Sequence, residues 1–443
     1  MNYHTKKLYV RIARAMAVLL VVSCIRFPID HLEAQAAEPS IPIRSYTPHA
    51  PIWINSSADF TSTNGVYSGN GNPDNPWVIE NLFINSTGYE YGIYIRFTSD
   101  HFIIRNCYLS NNYTGTQFMI SPSDGYYWTA GISLTHVSNA TIQNNLIERN
   151  HGNGIYIGVA NNIRIENNSI KNNLMGIYVS VSTGIMIADN NFSGNQSEDV
   201  LIGQSKNITF KRNIFTSGFN FEMGRLDEFT DFNIDSSNII NGKPIYYLKN
   251  QIGGVVPNDA GQVILANCSE FIIENLNLNP TKTRGIILGF SNNNTIRNNI
   301  LSGFNTAISI LGSSSNFIYN NTIKDCYFGI IIAGSNNTLY HNSFINNTNQ
   351  ISCAGTNVWD NGYPSGGNYW SDYAGNDSNN DGIGDTPYNV SYQNVDRYPL
   401  MKPYNESNVQ PPSNQIYIWA TIIAIIVIVS IIGLAYWRMR RRK

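Results

Sequence analysis

Charged side chains make up only 13% of this 443-residue chain, with 28 Lys and Arg against 30 Asp and Glu and a formal net charge of -2. That balance offers no basic footprint for a phosphate backbone, so nucleic acid is not expected as a partner. Cysteine is also sparse. Of five, Cys24 lies in the N-terminal apolar run, and Cys107, Cys268, Cys326 and Cys353 fall at unrelated phases of the repeat described below. No disulfide framework is expected from them. Ala, Leu, Glu and Lys are too scarce for a mostly helical protein. Asn fills the chain instead, at about one residue in seven, with 27 Tyr, 35 Gly and abundant Ile. The 42% of hydrophobic residues can bury a large core, which argues against disorder.

Both ends read as targeting segments. Lys6, Lys7, Arg11 and Arg14 precede an apolar run over 15–25, and Ala34-Gln35-Ala36 resembles a cleavage site, so 1–37 is expected to be a secretory signal. Near the other end, 416–437 is uncharged and long enough to cross a bilayer, with Tyr417, Trp419, Tyr436 and Trp437 at its borders. A basic tail over 438–443 should stay cytoplasmic. The polar stretch 403–415, with Pro411 and Pro412, reads as a linker to this expected C-terminal transmembrane helix. Everything between would then lie at the cell surface, where N-x-[ST] sequons such as Asn85, Asn139, Asn207 and Asn336 are compatible with a glycoprotein.

The middle of the chain repeats. Ile142, Ile165, Ile187, Phe210, Ile273, Ile296, Ile318 and Leu339 recur about every 22 residues, with one gap of about 63. Asn145, Asn168, Asn190, Asn213, Asn299, Asn321 and Asn342 stand three positions later, with Leu276 in the one exceptional period. A Gly-Ile-x-Ile element, as at Gly154–Ile157 and Gly329–Ile332, shares the period. Short alternating segments punctuated by Gly and Asn are β signals, and none shows helical spacing. One such turn cannot bury its own apolar side, whereas stacked turns bury a continuous core. Asn suits the corners because it tolerates left-handed backbone angles, and its amide can bond the same Asn one turn above and below. The expected fold is all-β: a right-handed parallel β-helix solenoid of roughly a dozen turns over 81–350, with insertions at about 110–129 and 219–261. A leucine-rich repeat shares the period, but would need Leu at several fixed positions where Ile dominates here. An N-terminal cap over 38–80 and a C-terminal cap over 351–402 complete the layout.

These features resemble the NosD-like parallel β-helix repeat proteins, within the carbohydrate-binding and sugar-hydrolase superfamily of extracellular solenoids. The resemblance is carried by Ile52-Trp53-Ile54-Asn55 and 69–80 as an opening cap. Segments 241–247 and 261–267 are similar to its mid-helix insertion, and 367–373, 381–388 and 396–400 to its closing segment. It covers about 45–402 and implies an extracellular solenoid whose members include binders and enzymes. The family name carries a copper association. His49, His101, His136, His151 and His341 are scattered through the repeats without ligand spacing, so copper is not expected.

Three features carry candidate chemistry. Asp377, Asn379, Asp381 and Asp385, with Gly382, match most of a calcium loop, although Tyr388 replaces the bidentate Glu. A structural Ca²⁺ or a metal-free Asp/Asn/Gly turn would each account for it. Tyr126, Tyr127 and Trp128 could form a stacking platform for sugar rings or tuck their loop onto the solenoid. Glu222, Asp227, Glu228, Asp231 and Asp235 cluster in the second insertion, as the paired carboxylates of glycoside hydrolysis require, though solvated loop charge explains them as simply. Arg225 and Lys243 are nearby bases. Tyr94, Tyr156 and Tyr178 recur at one phase, either lining a groove or stacking across turns. The expected function is a membrane-anchored surface protein that binds polysaccharide, glycan or an envelope partner without catalysis. An extracellular polysaccharide lyase or glycoside hydrolase is the alternative.

Overall fold

The computed structural model describes residues 45–111, 129–222, 225–278 and 281–404. The expected signal (1–37), most of the linker, the 416–437 segment, the basic tail and Tyr126-Tyr127-Trp128 lie outside the described residues. Among the described residues no helix is long and apolar enough to cross a membrane.

The chain winds as a β-solenoid of about a dozen turns, with three short parallel strands per regular turn. Strands from successive turns stack in register. Ile147 lies beside Ile170 and Ile170 beside Phe192, while Ile142, Ile165, Ile187 and Phe210 form a second file and Ile155 and Ile177 a third. Each of these side chains is wholly buried. The files form because side chains alternate across a strand, so an apolar residue at a fixed phase always faces the axis.

Corners divide two tasks between adjacent residues. The residue before most ladder Asn takes the left-handed conformation, as at Asn144 (φ 56°), Asn167 (55°), Asp189 (59°) and Arg212 (51°). The ladder Asn itself turns inward. Nδ2 of Asn145, Asn168, Asn190 and Asn213 donates to Oδ1 of the next member at 3.0, 3.0, 3.1 and 2.9 Å, ending at Asn238. The same oxygens accept the backbone N–H of the preceding Asn. Parallel ladders run through Asn294, Asn316, Asn337 and Asn357 and through Asn299, Asn321, Asn342 and Asn368.

This polarity dictates what stands at the ends. A head residue has no earlier amide to accept and need only donate its backbone N–H. Cys107, Cys268, Cys326 and Leu276 hold such head positions. Three cysteines that share no phase with one another therefore share a role, and all four described thiols are free. Asn150 heads another ladder, and its buried Oδ1 has no partner among the described residues. A tail must accept, and carboxylates do so twice: Asn195 Nδ2 donates to Asp199, and the Asn368 backbone N–H donates to Asp396 at 2.7 Å.

The expected insertion at 219–261 has a different construction. Phe219–Phe221, Phe232–Ile234 and Ile239–Ile240 pair in parallel with the three strands of the preceding turn and so add one more turn to the stack. The chain then reverses at Asn241 (φ 49°) and Gly242 (φ 79°), two positive angles that suit a type I′ hairpin. Lys243–Lys249 runs antiparallel to Ile239–Ile240 and parallel to Gln262–Ala266. One 14-stranded sheet thereby passes from the Leu146–Glu148 files of the first stack into the Gly-Ile-x-Ile files of the second. The first stack's apolar core takes in Ile245, Ile264 and Ile287 of the second stack, which also has a separate core of its own.

The closing segment seals the second core. Trp370 stacks on Phe344 and Tyr388 at centroid distances of 4.5 and 4.4 Å. Buried Asp396 accepts Trp370 Nε1–H at 2.9 Å and the Tyr398 N–H at 3.1 Å. Arg397 grips Asp360 through two bonds of 2.9 and 2.8 Å.

Candidate functional site

Outward-facing residues of one sheet collect polar and aromatic groups along the first stack. Tyr94, Ser133, Tyr156, Tyr178, Leu201 and Asn220 occupy one register file. Tyr91 stacks on Tyr94 at 4.7 Å, Trp53 packs against both, and Tyr156 lies 5.5 Å from Tyr178. Tyr94 and Tyr178 are buried, so these rings serve the cross-turn stack more than a free groove. Trp53, at 39% exposure, is the open ring of the group.

The track ends in two glutamates. Tyr178 donates its hydroxyl to Glu222 at 2.8 Å, and Asn220 Nδ2 donates to Glu198 at 2.7 Å. The Glu222 carboxyl lies over Gly203, where a Cβ would stand 2.1 Å from its Oε2, so glycine makes the room. Glu222 keeps solvent access, yet desolvation by the crowded surroundings raises its pKa above the usual carboxylate range. The Glu198 charge adds to this and the Tyr178 bond opposes it. The Tyr178 hydroxyl is itself pushed up by burial and by Glu222.

On the same two turns, the corner leading into this sheet opens as a groove of about 330 Å³, lined by Gly194, Asn195, Thr216, Ser217, Thr281, Lys282 and Gly303. Beneath it Asp199 is fully buried, its Oδ2 accepting the N–H groups of Thr216, Ser217 and Gly218 at 2.7, 2.5 and 3.1 Å. Burial raises the Asp199 pKa against these bonds. Lys282 reaches in from the second stack. Desolvation lowers its ammonium pKa, partly offset by Asp199.

Of the clustered acids expected from the sequence, only Glu222 joins this site. Asp227 pairs with Lys206 at 2.6 Å and Arg225 at 3.2 Å. Glu228 closes the N-terminus of the short helix Leu226–Thr230, Asp231 accepts the Asn207 N–H, and Asp235 caps its own turn. Lys243 donates to the Asn277 carbonyl. Sequence reasoning missed Lys282, Glu198 and Asp199, which no local motif marks. Their common signal is that they follow corner positions of the repeat.

The loop of Asp377, Asn379, Asp381 and Asp385 is exposed and turns on its own amides. Asp377 accepts from Asp381 and Gly382 at 3.1 and 2.9 Å, Asp381 from Ile383 at 2.9 Å, and Asp385 from Ser378 at 2.9 Å. These are hard oxygen donors of the type calcium takes, but Asp377, Asp381 and Asp385 do not gather as a metal site in this arrangement.

Residues 248–375 match the family model described as periplasmic copper-binding protein (NosD), and 130–268 match that of the right handed beta helix region. A probable ABC transporter binding protein NosD of Stutzerimonas stutzeri is 30% identical over 152 residues, covering 30% of this chain and 35% of that protein. The match thus spans about a third of that relative's length. Among solved structures, the A-module of the Azotobacter vinelandii mannuronan C-5 epimerase AlgE6 is 14% identical with a TM-score of 0.30, over 63% of this chain and 79% of that one. A tailspike mutant of E. coli bacteriophage HK620, solved with a pentasaccharide, is 13% identical with a TM-score of 0.34, over 66% and 58%.

The copper of the family description finds no fitting donor set among the described residues. Among the described residues no three His, Cys, Asp or Glu side chains gather as a metal site. The thiols of Cys107 and Cys326 are pushed up to about 12 and about 11 by burial, away from the thiolate that copper prefers, and each faces a backbone carbonyl. His341 takes a left-handed corner (φ 55°), stacks on Tyr404 at 4.1 Å and sets Nε2 2.8 Å from the Ser365 carbonyl oxygen.

Proposed function

We propose that this NosD-like parallel β-helix protein is a cell-surface binding protein for polysaccharide or envelope glycan, held by the apolar segment 416–437 and acting without catalysis. The observation that carries this reading is the groove at the corner of the two turns that carry Glu198 and Glu222. It is a recess of about 330 Å³ with Asn195, Thr216, Ser217 and Thr281 among its walls, within the size range of ligand sites. Hydroxyl and amide side chains such as these both donate to and accept from sugar hydroxyls. The S. stutzeri relative's description as a binding protein agrees with it. Tyr126, Tyr127 and Trp128 would add stacking surface, and Asp377, Asn379, Asp381 and Asp385 would hold a structural Ca²⁺ in the closing loop.

Glycan-array binding by the purified protein tests the reading, with binding expected to weaken in Glu222→Gln and Glu198→Gln. Absence of any glycan binding refutes it. A second reading, glycoside hydrolysis or lyase chemistry, is favoured by one observation: a glutamate of raised pKa beside a second glutamate, the pairing that acid catalysis of glycosidic cleavage uses. Reducing ends or unsaturated products released by the wild type and lost in Glu222→Gln would replace binding with catalysis.

A further inference from the structure

The fold divides the N-x-[ST] sequons into two kinds. Asn195-Gln196-Ser197 is one such triplet, but Asn195 is wholly buried and its Nδ2 donates to Asp199 at 2.8 Å, which leaves no room for a sugar ring. Asn139 is held at both ends of its amide, by the Ser99 carbonyl at 2.9 Å and by Asn162 Nδ2 at 2.7 Å. Asn167, Asn191, Asn207, Asn293, Asn336 and Asn346 are the opposite kind. All six are exposed, and among the described residues no hydrogen bond engages their side-chain amides.

Each of the six opens a triplet that faces out, in and out. The middle residue is buried every time, as a ladder member at Asn168, Asn294, Asn337 and Asn347 and as a core side chain at Phe192 and Ile208. The third is a Ser or Thr that returns to the outer side, as Thr338 and Thr348 do. That order follows from the two-residue side-chain period of a strand, and it lays the amide and the hydroxyl of the sequon on one open surface. Asn293 and Asn336 stand two turns apart in one file, since Thr295 pairs with Phe317 and Phe317 with Thr338. At roughly 4.8 Å per turn that is about 10 Å, so bulky substituents there are not forced onto adjacent turns. None of the six lies on the Gly-Ile-x-Ile strands that carry Tyr178 and its neighbours.

We infer that these six asparagines carry N-linked glycans, while Asn139 and Asn195 stay bare. The protein would then bear sugars of its own at the corners and flanks of the solenoid. In the transfer, the asparagine Nδ2 forms a bond to C1 of a sugar on a lipid-phosphate-linked oligosaccharide donor. The C1–O bond to phosphate breaks, the lipid phosphate leaves with the electron pair, and the displaced amide proton goes to a base of the transferase. The inference rests on the cell-surface placement, because that is where such acceptors are used.

Glycopeptide mass spectrometry of the full chain, isolated from the cells that make it, tests this. Saccharide mass increments are expected on the six and on neither Asn139 nor Asn195. Thr338→Val keeps a β-branched residue in the strand but removes the hydroxyl, so it should strip Asn336 alone and leave the melting temperature unchanged. An adduct on Asn336 that survives Thr338→Val, or a glycan on Asn195 or Asn139, overturns the inference. Protease treatment of intact cells separates the remaining failures. Six bare asparagines on a chain that the protease reaches sink the inference and leave the surface placement standing, whereas six bare asparagines on a shielded chain sink both.

Discussion

Asn190→Ala isolates what the ladder contributes. The Asn190 Oδ1 accepts the Asn168 backbone N–H at 2.9 Å and Asn168 Nδ2–H at 3.0 Å. Its own Nδ2 donates to the Ile165 and Ala188 carbonyls and to Asn213 Oδ1 at 2.8, 3.0 and 3.1 Å. After truncation Asn168 Nδ2 keeps two carbonyl partners, and Asn213 Oδ1 keeps the Asn190 N–H. The Asn168 N–H does not: it becomes a buried donor with nothing to bond. An orphaned buried donor costs about 1–3 kcal/mol. The lost carbonyl contacts and the small void raise the expected destabilisation to about 3–4 kcal/mol. Asn190→Asp would keep the two acceptor bonds but would aim a carboxylate at three oxygens, so its loss should exceed that of Ala near pH 7 and shrink on acidification. Urea unfolding followed by circular dichroism measures both. Asn233, exposed on a strand, is the control, and its Ala variant should stay within about 0.5 kcal/mol of wild type. If Asn190→Ala is as mild as that control, the ladder is ornament and the account of the corners is wrong.

Other outcomes are expected from the same structure. Asp396, whose carboxyl is raised by burial from 3.8 to about 6, favours the folded state most below pH 3.8 and loses that contribution as pH rises through about 6. At 1.36 kcal/mol per unit this is about 3 kcal/mol of pH-dependent stability, which denaturant midpoints from pH 4 to 7 would display. Asp396→Asn should flatten that dependence, and an unchanged profile would contradict it. Gly203→Ala should push Glu222 from its seat, break the Tyr178 bond and weaken glycan binding, while Gly242→Ala should lower stability without affecting binding. Chelator should lower the melting temperature if the closing loop holds calcium, and Asp377→Ala should remove the effect. A melting temperature indifferent to both calcium and chelator leaves that loop a metal-free turn.

Much of this architecture was legible without coordinates. A period of about 22 residues, with Ile, Leu or Phe at fixed phases, can be satisfied only by turns stacked in register, so the files of Ile147, Ile170 and Phe192 followed from spacing alone. The bond between Asn145 and Asn168 followed for the same reason, since identical residues at one phase must lie one turn apart. The division of labour at the corner was not visible: Asn144 and Asn145 look alike in sequence, and only the backbone reveals which one bends and which one bonds.

The seam at Asn241–Gly242 and the groove were decided by tertiary structure. A two-residue reversal looks like any other turn in the sequence, yet it transfers a whole sheet from one strand file to another. The Lys282 position depends on that transfer, because Thr281 and Lys282 meet Thr216 and Ser217 across the junction of the two stacks. Periodic composition determines what repeats, since burial acts on every turn alike. The candidate site lies where the period breaks, because there unlike side chains, distant in the chain, face a common space.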